Sequence, residues 1–79
     1  MDMKTLIKAI VTEIVDDGDS VQVGIIKSQV SEIIELTVAK EDVGKVIGRS
    51  GRTADAIRTI LLCIGAKNRI RYVLQIIDG

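Results

Sequence analysis

Apolar and polar residues along this chain follow two alternating periods, and each change of period marks a new element. Residues 1–15 place apolar side chains at the three-then-four spacing of one helix face, namely Met3, Leu6, Ile7, Ile10, Val11 and Ile14. Asp16, Asp17 and Gly18 predict the end of this helix. Acids are unfavourable at the carbonyl end of a helix, and glycine adopts the backbone conformations that terminate one.

Two strands are predicted next, because the apolar residues now recur at every second position. The first strand carries Val21, Val23 and Ile25, and the second carries Ile34, Leu36 and Val38 between polar neighbours. Lys27-Ser28-Gln29 is a plausible turn, although it lacks the Asn-Gly pair that marks the tightest hairpins. We therefore expect the two strands to be antiparallel neighbours.

From Glu41 onward the period is helical again. Glu41 and Asp42 suit a helix start, and a short apolar face follows before Gly48 ends this helix and Gly51 opens another. The longer helix has a predicted buried face of Ala54, Ile57, Ile60, Leu61 and Ile64, and its pattern fades from Gly65. A last strand alternates Ile70, Tyr72, Leu74 and Ile76 with Arg69, Arg71 and Gln75.

The resulting order is helix, strand, strand, helix, helix, strand. Placing the helices on one face of a three-stranded sheet buries both sets of apolar side chains. With no proline, no repeat and no low-complexity stretch, we expect one α+β domain over residues 1–79.

Composition restricts what such a domain does. The 79 residues include no Phe or Trp and one Tyr, so the core is aliphatic and aromatic platforms for stacking bases are missing. No apolar run reaches membrane-spanning length, and residues 1–11 are typical of a helix face rather than a signal peptide. We expect a cytoplasmic protein that does not interact with membranes.

The sequence also lacks the ingredients of common catalytic sites. It has no His and a single cysteine, Cys63, so zinc sites and His-dependent nucleophilic catalysis are excluded. Asp16, Asp17 and Asp19 surround Gly18, a composition typical of a solvated turn. We expect neither an enzyme nor a bound metal or cofactor.

Charge is balanced overall but unevenly distributed. Residues 1–42 hold four bases and nine acids, a net charge of −5, whereas residues 43–79 hold seven bases and two acids, a net charge of +5. A neutral protein therefore has a basic half that could meet a phosphate chain.

The basic half contains the most informative motif, Gly48-Arg49-Ser50-Gly51 between two predicted helices. Two glycines permit a tight turn and let the backbone approach a phosphate without a Cβ in the way. The helix that starts at Gly51 directs unpaired N–H groups and its positive dipole end to the same point. A Walker phosphate loop is excluded, because the Gly-Lys pair and the preceding strand are absent, and a Rossmann fingerprint fails for the same lack of a strand.

Ile47-Gly48-x-x-Gly51 followed by Ile57 is the KH signature, whose loop clamps RNA backbone. The stretch from Glu41 to Thr59, the first helix and the segment from Leu74 to Asp78 resemble the small bacterial single-KH proteins called the KhpA or YlqC family. Two departures are Lys40, where relatives commonly have Pro, and Cys63-Ile64-Gly65, where the helix end is usually richer in Ala and Lys.

This resemblance implies a KH domain of the prokaryotic type and a cytoplasmic RNA-binding protein of broad target range. It further implies a role as an RNA chaperone or regulator, with self-association or pairing with a larger Jag-type KH protein. The residues that we expect to bind single-stranded RNA are Lys45, Val46, Ile47, Gly48, Arg49, Ser50, Gly51 and Arg52. Val43, Val46 and Ile47 are equally compatible with a purely core role, and outer-strand positions for Arg69 and Arg71 favour solubility.

Two other functions remain open. Residues 41–67 could form a helix-turn-helix that binds DNA, although that leaves the sheet without a purpose; binding to single-stranded DNA is also open. Alternatively, the domain is an assembly module. Leu62 is predicted to face solvent, and Gly65 and Ala66 nearby would admit a second backbone, so we expect a homodimer around Leu62, distant from the loop.

Overall fold

The computed structural model describes residues 1–78, which form three α-helices and a three-stranded sheet in the predicted order. One-turn 3₁₀ helices lie in three of the connections between these elements, at Gly18–Ser20, Lys40–Asp42 and Arg49–Gly51. The α+β class and the α-β-β-α-α-β order are thus confirmed. The elements are α1 (Met3–Thr12), β1 (Gln22–Lys27), β2 (Ser31–Val38), α2 (Val43–Ile47), α3 (Arg52–Asn68) and β3 (Arg71–Asp78).

Helix α1 is shorter than its apolar spacing predicts. It begins where the Asp2 carboxylate accepts the Thr5 N–H at 2.7 Å, the usual cap of a helix N-terminus. It ends at Thr12, whose hydroxyl donates to the Lys8 carbonyl at 2.7 Å. The chain then continues in turns, and Val15 is still buried at 9% exposure. The apolar spacing therefore predicts which residues are buried, and the buried positions continue beyond the last residue of the helix.

The sheet has β2 at its centre. Strand β1 runs antiparallel to β2, with Ile25 opposite Ile34, and the Ser28 N–H donates to the Ser31 carbonyl at 2.8 Å to close the hairpin. Strand β3 runs parallel to β2, with Leu74 opposite Ile34. Parallel neighbours require a crossover connection. Here the crossover consists of α2, the glycine-flanked loop and α3, so the loop is part of the connection that holds the sheet together.

The core lies between one face of the sheet and the helices. Ile34, Leu36 and Val38 of β2 are fully buried at 0% exposure, as their alternation predicts. They share one cluster with residues from every helix, including Ile7 of α1 and Leu61 of α3. Burying these aliphatic side chains stabilises the fold by about 25 cal/mol per Å² of apolar surface removed from water.

Three expectations for the second half of the chain are wrong. Ile60, assigned to the buried face of α3, is 44% exposed. It lies at one flank of the helix, and Ala54, Ile57, Leu61 and Gly65 are the residues of α3 that are buried. The helix also continues beyond Gly65 to Asn68.

The third error concerns Arg69, which was expected in the last strand. Arg69 instead ends α3 in the left-handed conformation, with φ 58° and its N–H bonded to the Gly65 carbonyl. Arg71 is the first residue of β3 and is exposed, as predicted. No helix within residues 1–78 is long and apolar enough to cross a membrane.

Candidate nucleic-acid interface

The corner between α2 and α3 is built from three residues in left-handed or glycine-only backbone conformations. Gly48 has φ 79° and ψ 172°, Ser50 has φ 56° and ψ 27°, and Gly51 has φ 76° and ψ 10°. The Gly51 N–H donates to the Gly48 carbonyl at 3.1 Å and closes the turn. The chain thus reverses within four residues, and the first turn of α3 starts directly behind the loop.

Gly48 and Gly51 are glycine for different reasons. A Cβ at Gly48 would collide with the Thr53 side chain and lie 2.8 Å from the Thr53 backbone nitrogen, so there is no room for any other residue. A Cβ at Gly51 would meet nothing within 4 Å. The positive φ alone favours glycine at Gly51. Ser50 adopts the same left-handed region without being glycine, which is uncommon and strained.

The outer surface of this corner is cationic. Arg49, Ser50 and Arg52 are all exposed, and Ile47 beside them is 40% exposed. Arg49 lies within the glycine-bounded turn and Arg52 directly after it. Neither guanidinium group forms an ion pair within residues 1–78.

Two of the residues predicted to bind RNA are not free to do so in this structure: Val46 is buried, and Lys45 is in ion pairs. Val46 is fully buried at 0% exposure and belongs to the core, so it supports the loop from beneath. The Lys45 ammonium lies 3.2 Å from a carboxylate oxygen of Asp16 and 3.5 Å from one of Asp42. The sequence suggested a mobile positive charge at Lys45; in the structure two carboxylates hold it.

Asp42 is the buried polar residue at the start of α2, with 2% exposure. Its carboxylate accepts the backbone N–H of Asp17 at 3.0 Å and that of Asp16 at 3.3 Å. These bonds join the turn after α1 to α2. We call Asp16, Asp17, Asp42 and Lys45 the acidic latch.

The acidic latch changes the acidity of its own members. The Asp17 N–H holds the pKa of Asp42 below its ordinary value, against the opposing effect of burial, and the Asp16 N–H and Lys45 act in the same direction. The Asp16 carboxylate raises the pKa of Lys45 above its ordinary value, with a smaller contribution from Asp42. The sequence assigned Asp16 and Asp17 to a solvated turn and Asp42 to a helix start. No local pattern shows that the three meet.

A groove of about 770 Å³ lies beside α3, from Asp55 in the first turn of the helix toward the start of β3. One side of α3 supplies Asp55, Arg58, Thr59 and Leu62. The Arg58 guanidinium donates to the Leu74 carbonyl of β3 at 3.3 Å and lies 3.8 Å from the Asp55 carboxylate. The other lining residues are Leu61, Gly65, Ala66, Arg69, Ile70, Arg71 and Tyr72. The groove therefore combines aliphatic surface with three arginines and one acid.

Leu62 is 73% exposed, as the helical spacing predicts. It lines this groove, and none of the residues that line the groove belongs to the Gly48–Gly51 loop. Gly65 does not offer space to a second chain, because a Cβ there would collide with the Ile70 carbonyl oxygen of the same chain. The expectation that Gly65 admits another backbone is therefore wrong, whereas Ala66 is exposed.

Comparison with known proteins assigns the domain. The family model described as KhpA/KhpB, KH domain matches residues 4–76. The chain belongs to this KH-domain family. The Gly48–Gly51 turn lies within the matched residues.

Curated relatives cover nearly the whole chain. The RNA-binding protein KhpA of Borreliella burgdorferi is 48% identical over 73 residues, which are 92% of this chain and 89% of that protein. The protein of the same name from Clostridium acetobutylicum is 47% identical, covering 95% of this chain and 100% of its own length. That of Aquifex aeolicus is 42% identical, covering 96% of both. No solved structure gives a significant match.

Proposed function

We propose that this protein binds short single-stranded segments of RNA, with the Gly48–Gly51 loop holding the phosphate chain. The observation that carries this proposal is the pair of exposed, unpaired arginines, Arg49 and Arg52, on a glycine-bounded turn at the start of α3. The curated relatives are named RNA-binding proteins, which supports the same ligand.

The loop offers a phosphate both space and charge. The missing side chain at Gly51 leaves open space in which an oxygen can approach the backbone. The first turn of the 17-residue α3 leaves N–H groups without helical partners. Arg49 and Arg52 add charge-assisted hydrogen bonds. Lys45 is occupied by Asp16 and Asp42, so its contribution is smaller than its charge suggests.

Bases would lie in the groove beside α3. Its aliphatic residues supply apolar contact, and its arginines supply donors for base edges and sugar oxygens. Tyr72 is the single aromatic residue of the chain, and its hydroxyl accepts a bond from the Asn68 amide at 3.3 Å. Stacking on aromatic rings is therefore a minor source of affinity, and contacts to backbone and base edges dominate.

Replacing Arg49 and Ser50 together by Asp tests the loop. Both residues are exposed, and aspartate tolerates the left-handed conformation of Ser50. We expect RNA affinity to fall by roughly 100-fold or more, because two negative charges meet the phosphate where a guanidinium was. The melting temperature should stay within a few degrees of the parent.

A control with the same change of charge separates local from general electrostatics. Lys4 and Thr5 are exposed near the start of α1, so Lys4→Asp with Thr5→Asp alters net charge equally on another element. This variant should keep most of the affinity for an RNA oligonucleotide in fluorescence anisotropy. If both double variants lose binding to the same extent, the loop is not the site.

Self-association is a second proposed property, favoured by the 73% exposure of Leu62. A homodimer, or pairing with a larger Jag-type KH protein, would cover this side chain. In sedimentation, Leu62→Glu should shift a dimeric parent to the monomer mass. A parent that sediments as a monomer at high micromolar concentration contradicts the homodimer. Because Leu62 lines the groove, we expect RNA and the second copy to compete.

The proposal also includes a cytoplasmic location, an RNA chaperone or regulatory role, and no catalytic activity. The discriminating ligand is duplex DNA: a helix-turn-helix protein binds the duplex more tightly than single strands, and a pure assembly module binds neither. We expect preference for single-stranded RNA over both duplex and single-stranded DNA.

A further inference from the structure

The groove contains one acid–base pair whose geometry matches a base edge. Arg58 spans from α3 to the edge strand, where one of its nitrogens donates to the Leu74 carbonyl at 3.3 Å. Its other terminal nitrogen lies 3.8 Å from the Asp55 carboxylate, one turn earlier on the same helix. The guanidinium is thus held by one hydrogen bond to β3, with the Asp55 carboxylate beside it.

Both side chains keep hydrogen-bonding capacity for a ligand. Arg58 is 49% exposed and Asp55 is 76% exposed, and both line the groove. A guanidinium has five N–H donors and a carboxylate has about four acceptor sites, so the contacts described above leave most of them unused. The pair presents donors and acceptors side by side, close to the start of α3.

We propose that Arg58 and Asp55 read one base of the bound strand and that guanine is the base they prefer. This inference rests on the proposed RNA binding. Guanine carries the acceptors N7 and O6 next to the donors N1–H and N2–H₂, so its edge is complementary to an arginine beside an aspartate. Cytosine offers acceptors next to a single amino donor and matches less completely. On adenine and uracil, single donors and acceptors alternate along the edge, so these bases match the Arg58–Asp55 pair worst.

The position of the pair agrees with this role. Arg58 is seven residues beyond Gly51, about 10 Å along the helix axis at about 1.5 Å per residue. A strand whose phosphate is held at the loop can therefore place a neighbouring base against Arg58. An exposed Asp–Arg ion pair three residues apart contributes little to stability, so it is the bond of Arg58 to the Leu74 carbonyl, and not its ion pair with Asp55, that joins α3 to β3.

The test compares RNA octamers of uridine that contain one guanosine, cytidine, adenosine or no replacement, measured by fluorescence anisotropy. We expect the guanosine strand to bind about 5- to 100-fold more tightly than plain oligouridine, with cytidine between them. Arg58→Lys keeps the positive charge but removes the planar fork, and Asp55→Asn removes the acceptor carboxylate. Either change should abolish most of the guanosine preference, so that the guanosine strand and plain oligouridine bind the variant within about threefold of each other.

Lys67→Gln is the matched control, because Lys67 is an exposed cation of α3 that does not line the groove. It should weaken all strands slightly and equally. Equal binding of all four strands by the parent, or full guanosine preference in Arg58→Lys and Asp55→Asn, overturns the inference while RNA binding stands. If the parent binds no strand, RNA binding itself fails. Asp55→Asn alters a largely exposed side chain, so a folding defect in Arg58→Lys does not prevent the test.

Discussion

The two ends of α3 are both corners built around glycine, and they differ in what occupies the space that glycine leaves. At the first corner, Thr53 of the helix itself fills the space beside Gly48, and the outer side of the turn stays open. At the second corner, the Ile70 carbonyl fills the space beside Gly65 and accounts for its burial. A glycine in the sequence shows that something approaches closely; only the structure shows which atoms do.

The difference separates the corner that we propose to bind RNA from a corner that serves packing. The first presents exposed arginines and the start of a helix to solvent. The second is closed by hydrogen bonds from Arg69 and Ile70 to the Gly65 carbonyl. Changes at the first should affect RNA binding and stability separately. Changes at the second should act on stability first, and on RNA binding only through the shape of the groove that Gly65, Arg69 and Ile70 line.

The largest expected effect on stability is at Gly48. Gly48→Ala combines a glycine-only backbone conformation with a collision against Thr53, and we expect the free energy of unfolding to fall by roughly 3 kcal/mol or more. Gly51→Ala, which has open space around it, should cost about 1 kcal/mol for its positive φ. Urea denaturation measures both. Equal losses would show that Thr53 moves aside at little cost.

Gly65→Ala tests the packing corner. The added methyl group meets the Ile70 carbonyl oxygen, so α3 and β3 must separate, at a cost of about 2 kcal/mol after the gain in helix propensity. Because Gly65 also lines the groove, the RNA affinity of the fully folded variant should fall, but by less than in the double variant of Arg49 and Ser50. A loss as large as in that double variant would mean that the two corners are not separate in function.

The acidic latch makes the stability of the fold sensitive to pH. Because the folded pKa of Asp42 lies below its ordinary value, Asp42 stabilises the fold at pH values above that ordinary value, and this stabilisation disappears as the pH falls through the folded pKa. At neutral pH, Asp42→Asn should lower the melting temperature by roughly 5–10 °C. Thermal unfolding between pH 7 and pH 2 should show the parent and variant converging in acid. A gap that stays constant with pH would assign the loss to packing rather than to charge.

The smallest expected effect is on the salt dependence of RNA binding. Three or four phosphate contacts give a slope of log affinity against log salt of roughly −2 to −3, at about −0.7 per contact on single strands. Arg52→Ala should make the slope shallower by roughly 0.7, without changing base preference. Lys45→Ala should change it less, because Asp16 and Asp42 already neutralise that lysine. Equal changes of slope in Arg52→Ala and Lys45→Ala would show that RNA displaces the Asp16 and Asp42 carboxylates from Lys45.

The sequence predicted the element order because each element has its own period and each change of period coincides with a turn. It predicted the loop because Gly48, Arg49, Ser50 and Gly51 are contiguous. The contacts of the acidic latch with the turn after α1, and the Arg58 contact to Leu74, were missed because they join residues 16 to 29 positions apart. The error at Ile60 has another cause: helical spacing gives the direction of a side chain, but the width of the covered face depends on neighbouring elements.

The parallel pairing of β2 with β3 also determines when the binding surface forms during folding. The hairpin of β1 and β2 closes over a few residues, whereas Ser31 must find Arg71, 40 positions away, before β3 is in place. Non-local pairings of this kind form late and slow a folding reaction. Because the loop lies within that crossover, and β3 supplies one wall of the groove, the hairpin can assemble while the groove is still missing. Competence to bind RNA should therefore appear in the last kinetic phase of refolding, together with β3.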